Sequence, residues 1–157
     1  MAAPVLLERQ IVSAGAAATR DVGTRLAHAA AAGDLVCVRG ELGAGKTQLA
    51  KGFGAGLGVT DTIGSPSFIL MAEYAGRLPL FHVDLYRLAD ATDVLHGGLI
   101  DERQAEGVTI VEWPERMEDV LPAGRLDITI DGSGDEPRMI TLRAGTPGLA
   151  RYLEALS

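Results

Sequence analysis

The sequence contains the run Gly40-Glu41-Leu42-Gly43-Ala44-Gly45-Lys46-Thr47, which has the spacing G-x-x-x-x-G-K-[ST] of a phosphate-binding loop. Glycines at Gly40, Gly43 and Gly45 allow the backbone to bend so that its N–H groups point at phosphate oxygens. Lys46 supplies a positive charge for the β- and γ-phosphates, and the Thr47 hydroxyl is a ligand type that Mg²⁺ accepts. We therefore predict nucleotide contacts throughout the loop, at Glu41, Leu42, Gly43, Ala44, Gly45, Lys46, Thr47 and Gln48.

The residues on either side of this loop favour the same interpretation. The run Leu35-Val36-Cys37-Val38 is short and apolar, which predicts a buried parallel strand. After the loop, Leu49 and Phe53 lie four residues apart, which predicts a helix. A loop between a strand and a helix N terminus is where the helix dipole favours phosphate. The alternative is a glycine-rich turn that only resembles a phosphate-binding loop.

Length and composition predict one globular domain over residues 1–157, with 47% apolar and 22% charged residues. The single cysteine, Cys37, excludes an intramolecular disulfide and fits a reducing cytoplasm. Glu8, Arg9 and Gln10 interrupt the apolar N-terminal run, so we find no signal peptide. No run is apolar and long enough to span a membrane. We expect a cytoplasmic protein without membrane association.

The net charge of −7 limits the partners that we expect. Nucleic-acid binding draws much of its affinity from clustered Lys and Arg side chains, and the basic residues here are scattered. Tight direct binding to RNA or DNA is therefore not expected of this chain.

Hydrophobic patterns predict strands at 5–12, 35–38, 68–74, 78–85, 108–111, 126–130 and 138–143. They predict helices after Ser13, which we assign as an N-cap, to about Ala31, after the phosphate-binding loop, at 90–95, at 99–106, and after Thr146-Pro147. Strands alternate with helices early in the chain and pair locally late. This order predicts an α/β fold of the P-loop NTPase type, a three-layer sandwich whose mixed sheet has a parallel centre and antiparallel additions.

Two carboxylates follow apolar strands, where α/β sheets place ligand groups. Asp84 ends the run before Leu85, and we predict that it holds Mg²⁺ directly or through water. The alternative is an acid that caps the next turn. Glu112 follows four apolar residues and is our candidate for polarising the attacking water, the alternative being a surface acid. His82 shares a face with Asp84, and we expect it to be a packed core residue rather than a ligand.

Trp113 and Ser67 are further candidates. Trp113, the single tryptophan, is predicted to stack on the nucleotide or to lie at a partner interface, with core packing as the alternative. Ser67 lies in a loop after the phosphate-loop helix and is a possible γ-phosphate switch, the alternative being an ordinary turn serine. The sequence has no Asn-Lys-x-Asp run for guanine, so ATP is the predicted nucleotide by elimination.

Four motifs together resemble the TsaE (YjeE) family of small bacterial ATPases. They are the phosphate-binding loop, Ser65-Pro66-Ser67-Phe68, His82-Val83-Asp84-Leu85-Tyr86-Arg87-Leu88 and Val111-Glu112-Trp113-Pro114-Glu115. The resemblance implies an ATPase that is required for threonylcarbamoyladenosine (t6A) modification of tRNA and acts on a complex of TsaD and TsaB. By matching position, it implies that Lys46 and Glu112 serve catalysis, and that Thr47, Asp84 and Glu112 serve Mg²⁺. It also implies that Trp113 lies near the nucleotide or the partner. Ser67 stands where that family usually has threonine.

Such a protein need not contact tRNA itself, which agrees with the acidic charge. We expect ATP hydrolysis to be weak for the isolated chain and to depend on the partners, which can supply missing site elements. Two alternatives stay open: a small-molecule phosphotransferase, and a nucleotide-binding switch that does not hydrolyse.

Overall fold

The computed structural model describes residues 7–41, 43–63, 71–86 and 102–156. Its strands are β1 (Glu8–Ser13), β2 (Leu35–Arg39), β3 (Met71–Tyr74), β4 (Leu80–Asp84), β5 (Val108–Glu112), β6 (Leu126–Asp131) and β7 (Arg138–Ala144). Its α-helices are α1 (Ala16–Ala27), α2 (Lys46–Gly56) and α3 (Ala150–Glu154). Short 3₁₀ turns span Glu102–Glu106, Pro114–Val120 and Pro147–Leu149. Each strand lies where the hydrophobic pattern predicts one.

The described strands form a seven-stranded sheet in the order β1-β7-β6-β2-β5-β4-β3. The neighbours β6, β2, β5 and β4 are parallel. The strands β1, β7 and β3 are antiparallel to their neighbours. The predicted fold class, a mixed sheet with a parallel centre and antiparallel additions, is confirmed. Because β2 lies between two parallel neighbours, the phosphate-binding loop leaves from the centre of the sheet.

Alternation along the strands divides the core between the two faces of the sheet. On one face Val36, Val38 and Ile110 pack with apolar side chains of α1, α2 and α3. On the other face Cys37, Val83 and Val111 pack with Met117 and Leu121, which lie in and just after the 3₁₀ turn Pro114–Val120. Residues with even numbers on β4 and β5 therefore face α2, and this parity sets the positions of His82, Asp84 and Glu112.

Helices α1 and α2 approach each other closely at Gly52. A Cβ atom added there would lie 1.8 Å from the carbonyl oxygen of Arg20, so only glycine fits this contact. The Thr24 hydroxyl also donates to the carbonyl oxygen of Gly52 at 2.9 Å. The second turn of α2, the helix that follows the phosphate-binding loop, is thus fixed against a second helix.

Some predicted boundaries were wrong. Ser13 is not an N-cap but the last residue of β1, because its buried hydroxyl bonds to the Gly15 carbonyl and the Thr19 hydroxyl. Helix α1 ends at Ala27 rather than near Ala31. The Arg77 guanidinium donates to the carbonyl oxygen of Ala27, the last helical residue, and to that of Ala30 just beyond it. The helix predicted at 99–106 is a 3₁₀ turn over Glu102–Glu106. The helix predicted at 90–95 and strand residues 68–70 lie outside the described residues.

Candidate functional site

The phosphate-binding loop joins the end of β2 to the first residue of α2, as the flanking sequence predicts. Gly45 is the N-cap of α2 and has φ of +112°, a left-handed conformation that favours glycine. Lys46 and Thr47 are the first two residues of α2. Backbone N–H groups and the helix dipole favour an anion at this position.

The Lys46 ammonium is held inside this loop. The residue is 6% exposed, and its Nζ donates to the carbonyl oxygens of Gly40 and, at 3.1 Å, Glu41. The same Nζ lies 4.0 Å from the centroid of the Trp113 ring. Burial lowers the pKa of Lys46, against the opposing negative charges of Glu112, Glu115 and Asp84. Among the residues that the structure describes, no carboxylate forms an ion pair with this buried ammonium.

Glu112 is buried at the carboxyl end of β5, so the interpretation of it as a surface acid was wrong. The residue is 3% exposed. Thr47 Oγ1 lies 3.3 Å from Glu112 Oε1 and donates to the carboxylate. His82 Nε2 is hydrogen-bonded to the other carboxylate oxygen, Oε2. The packed, hydrogen-bonded state expected of His82 is confirmed, since this residue is fully buried.

Asp84 lies directly beside Glu112 at the same edge of the sheet, because these two residues are register partners on parallel strands. Its Oδ1 accepts from the backbone N–H of Tyr86 at 3.0 Å, so Asp84 also caps the turn after β4. The Thr47 hydroxyl and the carboxylates of Asp84 and Glu112 are hard oxygen donors. Within the described ranges there is no group of three or more His, Cys, Asp or Glu side chains arranged to hold a metal ion. This donor set fits Mg²⁺, which at nucleotide sites typically combines one or two protein oxygens with phosphates and water.

Trp113 has an unusual backbone for a bulky residue, with φ of +60°. Its ring contacts Lys46 Nζ on the loop side and lies 4.9 Å from the ring centroid of Tyr86, with 47° between the ring planes. The part of Trp113 away from solvent packs against the apolar cluster that contains Val111 and Met117. A cavity of about 510 Å³ opens beside these rings and is bordered by Gly40, Glu41, Tyr86, Trp113, Glu115 and Asp131.

A second cavity, of about 420 Å³, lies on another side of the loop. It is bordered by Gly43, Gly45 and Gln48 of the loop region, by residues just before and at the start of α1, and by residues of the turn before β7 and its first residue. Arg138, at the start of β7, donates to the carbonyl oxygens of Ala44 at 3.1 Å and Gly43 at 3.3 Å. The same guanidinium donates to Gly134 in the turn between β6 and β7 at 3.0 Å. Arg138 was not predicted as a site residue, because it lies more than ninety residues along the sequence from the loop that it holds.

The remaining predicted residues are distributed as follows. Glu41 is exposed and borders the larger cavity, and Gln48 borders the smaller one while accepting a hydrogen bond from Arg20 at 2.6 Å. Leu42 and Ser67 lie outside the described residues. The structure thus brings together Lys46, Thr47, Asp84, Glu112 and Trp113 at one edge of the parallel strands.

Residues 13–140 match the family model described as "Threonylcarbamoyl adenosine biosynthesis protein TsaE". The chain belongs to the TsaE family. Among TsaE proteins, that of Bacillus subtilis is 42% identical over 127 residues, covering 80% of this chain and 79% of the relative. That of Streptomyces coelicolor is 40% identical over 130 residues, covering 78% of this chain and 88% of the relative.

The TsaE assignment agrees with a solved structure. The crystal structure of Bacillus subtilis YdiB superimposes with a TM-score of 0.80 at 33% identity, covering 99% of this chain and 97% of the other. The family resemblance predicted from the four motifs is therefore confirmed. Among the residues that the structure describes, no helix has the length and hydropathy needed to cross a membrane.

Proposed function

We propose that this TsaE protein is an ATPase of tRNA t6A biosynthesis that works on a TsaD–TsaB complex. One observation carries the proposal: Lys46, Thr47 and Glu112 meet at the N terminus of α2, with Asp84 beside Glu112. A buried cation, a hydroxyl and two carboxylates at the end of a phosphate-binding loop are the groups that nucleotide hydrolysis needs. The family name supplies the biological process.

ATP would bind with its phosphates on the loop residues Glu41, Leu42, Gly43, Ala44, Gly45, Lys46, Thr47 and Gln48. Lys46 would exchange its present contacts with loop carbonyls for phosphate oxygens, and Trp113 would lie next to the terminal phosphates. The cavity of about 420 Å³ beside Gly45 and Gln48 is large enough for a nucleoside.

Thr47, Asp84 and Glu112 would hold Mg²⁺, and the ion would neutralise negative charge on the β- and γ-phosphates. In hydrolysis, the water oxygen bonds to the γ-phosphorus while the bond from that phosphorus to the β-bridging oxygen breaks. ADP leaves with that electron pair, and Glu112 accepts the proton of the water. The buried position of Glu112 supports this role. Where bulk solvent is excluded, the carboxylate interacts more strongly with the one water molecule that it polarises.

The partners complete the site in this proposal. The net charge of −7 opposes tight binding to tRNA, so the chain would act on the protein complex and not on tRNA directly. Ser67 is proposed as the residue that responds to the γ-phosphate. The cytoplasm is the proposed compartment, supported by the buried thiol of Cys37.

Steady-state ATP hydrolysis by the purified chain, with and without TsaD and TsaB, tests the proposal. We expect slow turnover alone, faster turnover with the pair, and no turnover for Lys46→Ala in either condition. A rate that the pair leaves unchanged would contradict partner dependence. Strong, salt-sensitive binding of tRNA to the isolated chain would contradict the indirect role.

A phosphotransferase is a second candidate, favoured by the cavity of about 510 Å³ beside Gly40 and Trp113, which has room for a small acceptor. This candidate predicts ATP consumption that depends on an added metabolite and not on proteins. A screen of metabolites with the isolated chain, followed by phosphorus NMR for a new phosphoester, distinguishes it from hydrolysis.

A further inference from the structure

We propose that His82 is a positioning residue, which fixes the carboxylate of Glu112 through a hydrogen bond from its Nε2–H. The inference rests on the proposed function of Glu112 and goes beyond it by assigning a role to a residue that touches neither nucleotide nor water. His82 is fully buried, and Glu112 is 3% exposed. Their contact, from Nε2 to Oε2, is therefore shielded from solvent.

The sheet register explains how the two side chains meet. His82 is the register partner of Ile110, and Asp84 is the register partner of Glu112. All four residues have even numbers on β4 and β5, so their side chains lie on the face that packs against α2. His82 lies two residues before Asp84 on β4, and from there its imidazole reaches along this face to Glu112. Its place in the core leaves the ring little freedom to move away.

The hydrogen-bond chemistry identifies the ring nitrogen of His82 that donates. A carboxylate only accepts hydrogen bonds, so the hydrogen of this contact belongs to Nε2 of His82. The other ring nitrogen, Nδ1, is buried and has no hydrogen-bond partner among the described residues. Glu112 is therefore the described hydrogen-bond partner of this ring, and Nε2 is the atom that donates to it.

The hydrogen bond from His82 has its largest effect on the position of Glu112 in the proposed complex with nucleotide. At present Glu112 has two described partners, His82 and the Thr47 hydroxyl. In the proposed complex the Thr47 hydroxyl turns to Mg²⁺, which leaves His82 as the described partner that holds the carboxylate. With Oε2 fixed by His82, Oε1 is directed towards the loop, where the water or the ion would lie. His82 is not itself a ligand in this arrangement, because its Nε2 is occupied by Glu112 and Mg²⁺ prefers oxygen.

Two substitutions of His82 distinguish the loss of its hydrogen bond to Glu112 from a change in core packing. His82→Leu removes the donor and keeps an apolar side chain, whereas His82→Gln keeps an N–H near the position of Nε2. His28→Gln is the matched control, because His28 is exposed at the end of α1. With TsaD and TsaB present, we expect kcat of His82→Leu to fall about 10- to 100-fold, as for other residues that orient a ligand group. His82→Gln should recover most of this loss, and His28→Gln should match the unaltered chain.

Binding and folding are measured on the same proteins. ADP affinity without Mg²⁺, followed by Trp113 fluorescence, should stay within about twofold in His82→Leu, because the phosphate loop does not use His82. Thermal unfolding checks that each variant is folded at the assay temperature. A wild-type kcat in His82→Leu overturns the proposal. Equal losses of kcat in His82→Leu and His82→Gln also overturn it, because they indicate packing alone.

Nitrogen NMR of the histidine side chains gives a readout that needs no nucleotide. We expect His82, assigned by the loss of its signal in His82→Gln, to show a hydrogen on Nε2. An Nε2 without a hydrogen would overturn the proposal. If Glu112→Gln hydrolyses ATP at the unaltered rate, the proposed function of Glu112 fails, and the role of His82 fails with it. If Glu112→Gln is inactive while His82→Leu is fully active, only the role of His82 fails.

Discussion

Lys46 Nζ lies 4.0 Å from the centroid of the Trp113 ring, so the single tryptophan of the chain contacts the phosphate-loop lysine. A cation over an indole face is a weak interaction of about 1 kcal/mol, which a phosphate can replace. If the proposed nucleotide binds at Lys46, we therefore expect the surroundings of the Trp113 ring to change.

Adding ADP should change the fluorescence of Trp113 in a saturable manner, because phosphate draws the Lys46 ammonium away from the ring. A fluorescence titration measures this effect without any label, since no other tryptophan contributes. Lys46→Met serves as the control and should give no saturable response. Calorimetric ADP binding without a fluorescence change would contradict the expected movement of Lys46.

Replacing Lys46 by methionine should stabilise the fold at neutral pH while it abolishes nucleotide binding. Burial lowers the pKa of Lys46 below the ordinary value of 10.5, so the unfolded chain binds the proton more strongly than the folded chain. Below the folded pKa the charged lysine therefore costs stability. Between the pKa of the folded chain and 10.5, Lys46 is deprotonated in the folded chain but still protonated in the unfolded chain. The cost to stability therefore decreases as the pH rises through this range.

Urea unfolding at several pH values tests the predicted direction of this pH dependence. The stability advantage of Lys46→Met over the unaltered chain should be largest at neutral pH and should shrink as the pH approaches 10.5. A stability advantage of Lys46→Met that grows with pH would contradict this prediction. It would show that the nearby carboxylates raise the pKa of Lys46 more than burial lowers it.

Glu112→Gln should lower ATP hydrolysis by on the order of 100- to 10,000-fold and leave ADP affinity nearly unchanged. Glutamine keeps the shape and can still accept from Thr47 and His82, but it takes no proton from water. Single-turnover hydrolysis with TsaD and TsaB gives the rate. Retained t6A formation in cells carrying Glu112→Gln, combined with its loss in Lys46→Ala, would instead support a switch that does not hydrolyse.

Arg138→Ala should weaken ADP binding and lower the free energy of unfolding by about 1 to 2 kcal/mol, since several net hydrogen bonds to carbonyls are lost. Arg138→Lys should recover little, because one ammonium lacks the planar fork that contacts Ala44, Gly43 and Gly134 together. Thermal unfolding with and without ADP measures both effects. Arg143→Ala, on the exposed side of the same strand, is the control and should change neither quantity.

Local sequence was sufficient for the elements that carry the site. The apolar run at Leu35, the glycine spacing and the helix after Lys46 are short-range signals, and the structure has each of them. Asp84 and Glu112 were found because parallel strands end at one edge of a sheet. The pairing of His82 with Glu112 was not predicted, because it depends on strand register and on the direction of one ring. Ser13 was assigned wrongly because its pairing with Arg138 extends β1.

The two ends of the phosphate-binding loop are held by different parts of the fold. Strand β2 is hydrogen-bonded on both sides, to β5 and β6, and α2 is locked to α1 where Gly52 meets the Arg20 carbonyl. Both flanks of the loop are thus anchored to neighbouring elements of the fold. In the proposed complex, we therefore expect adjustment to the phosphates to come from side chains of other elements, such as those of Trp113, Arg138 and Glu112.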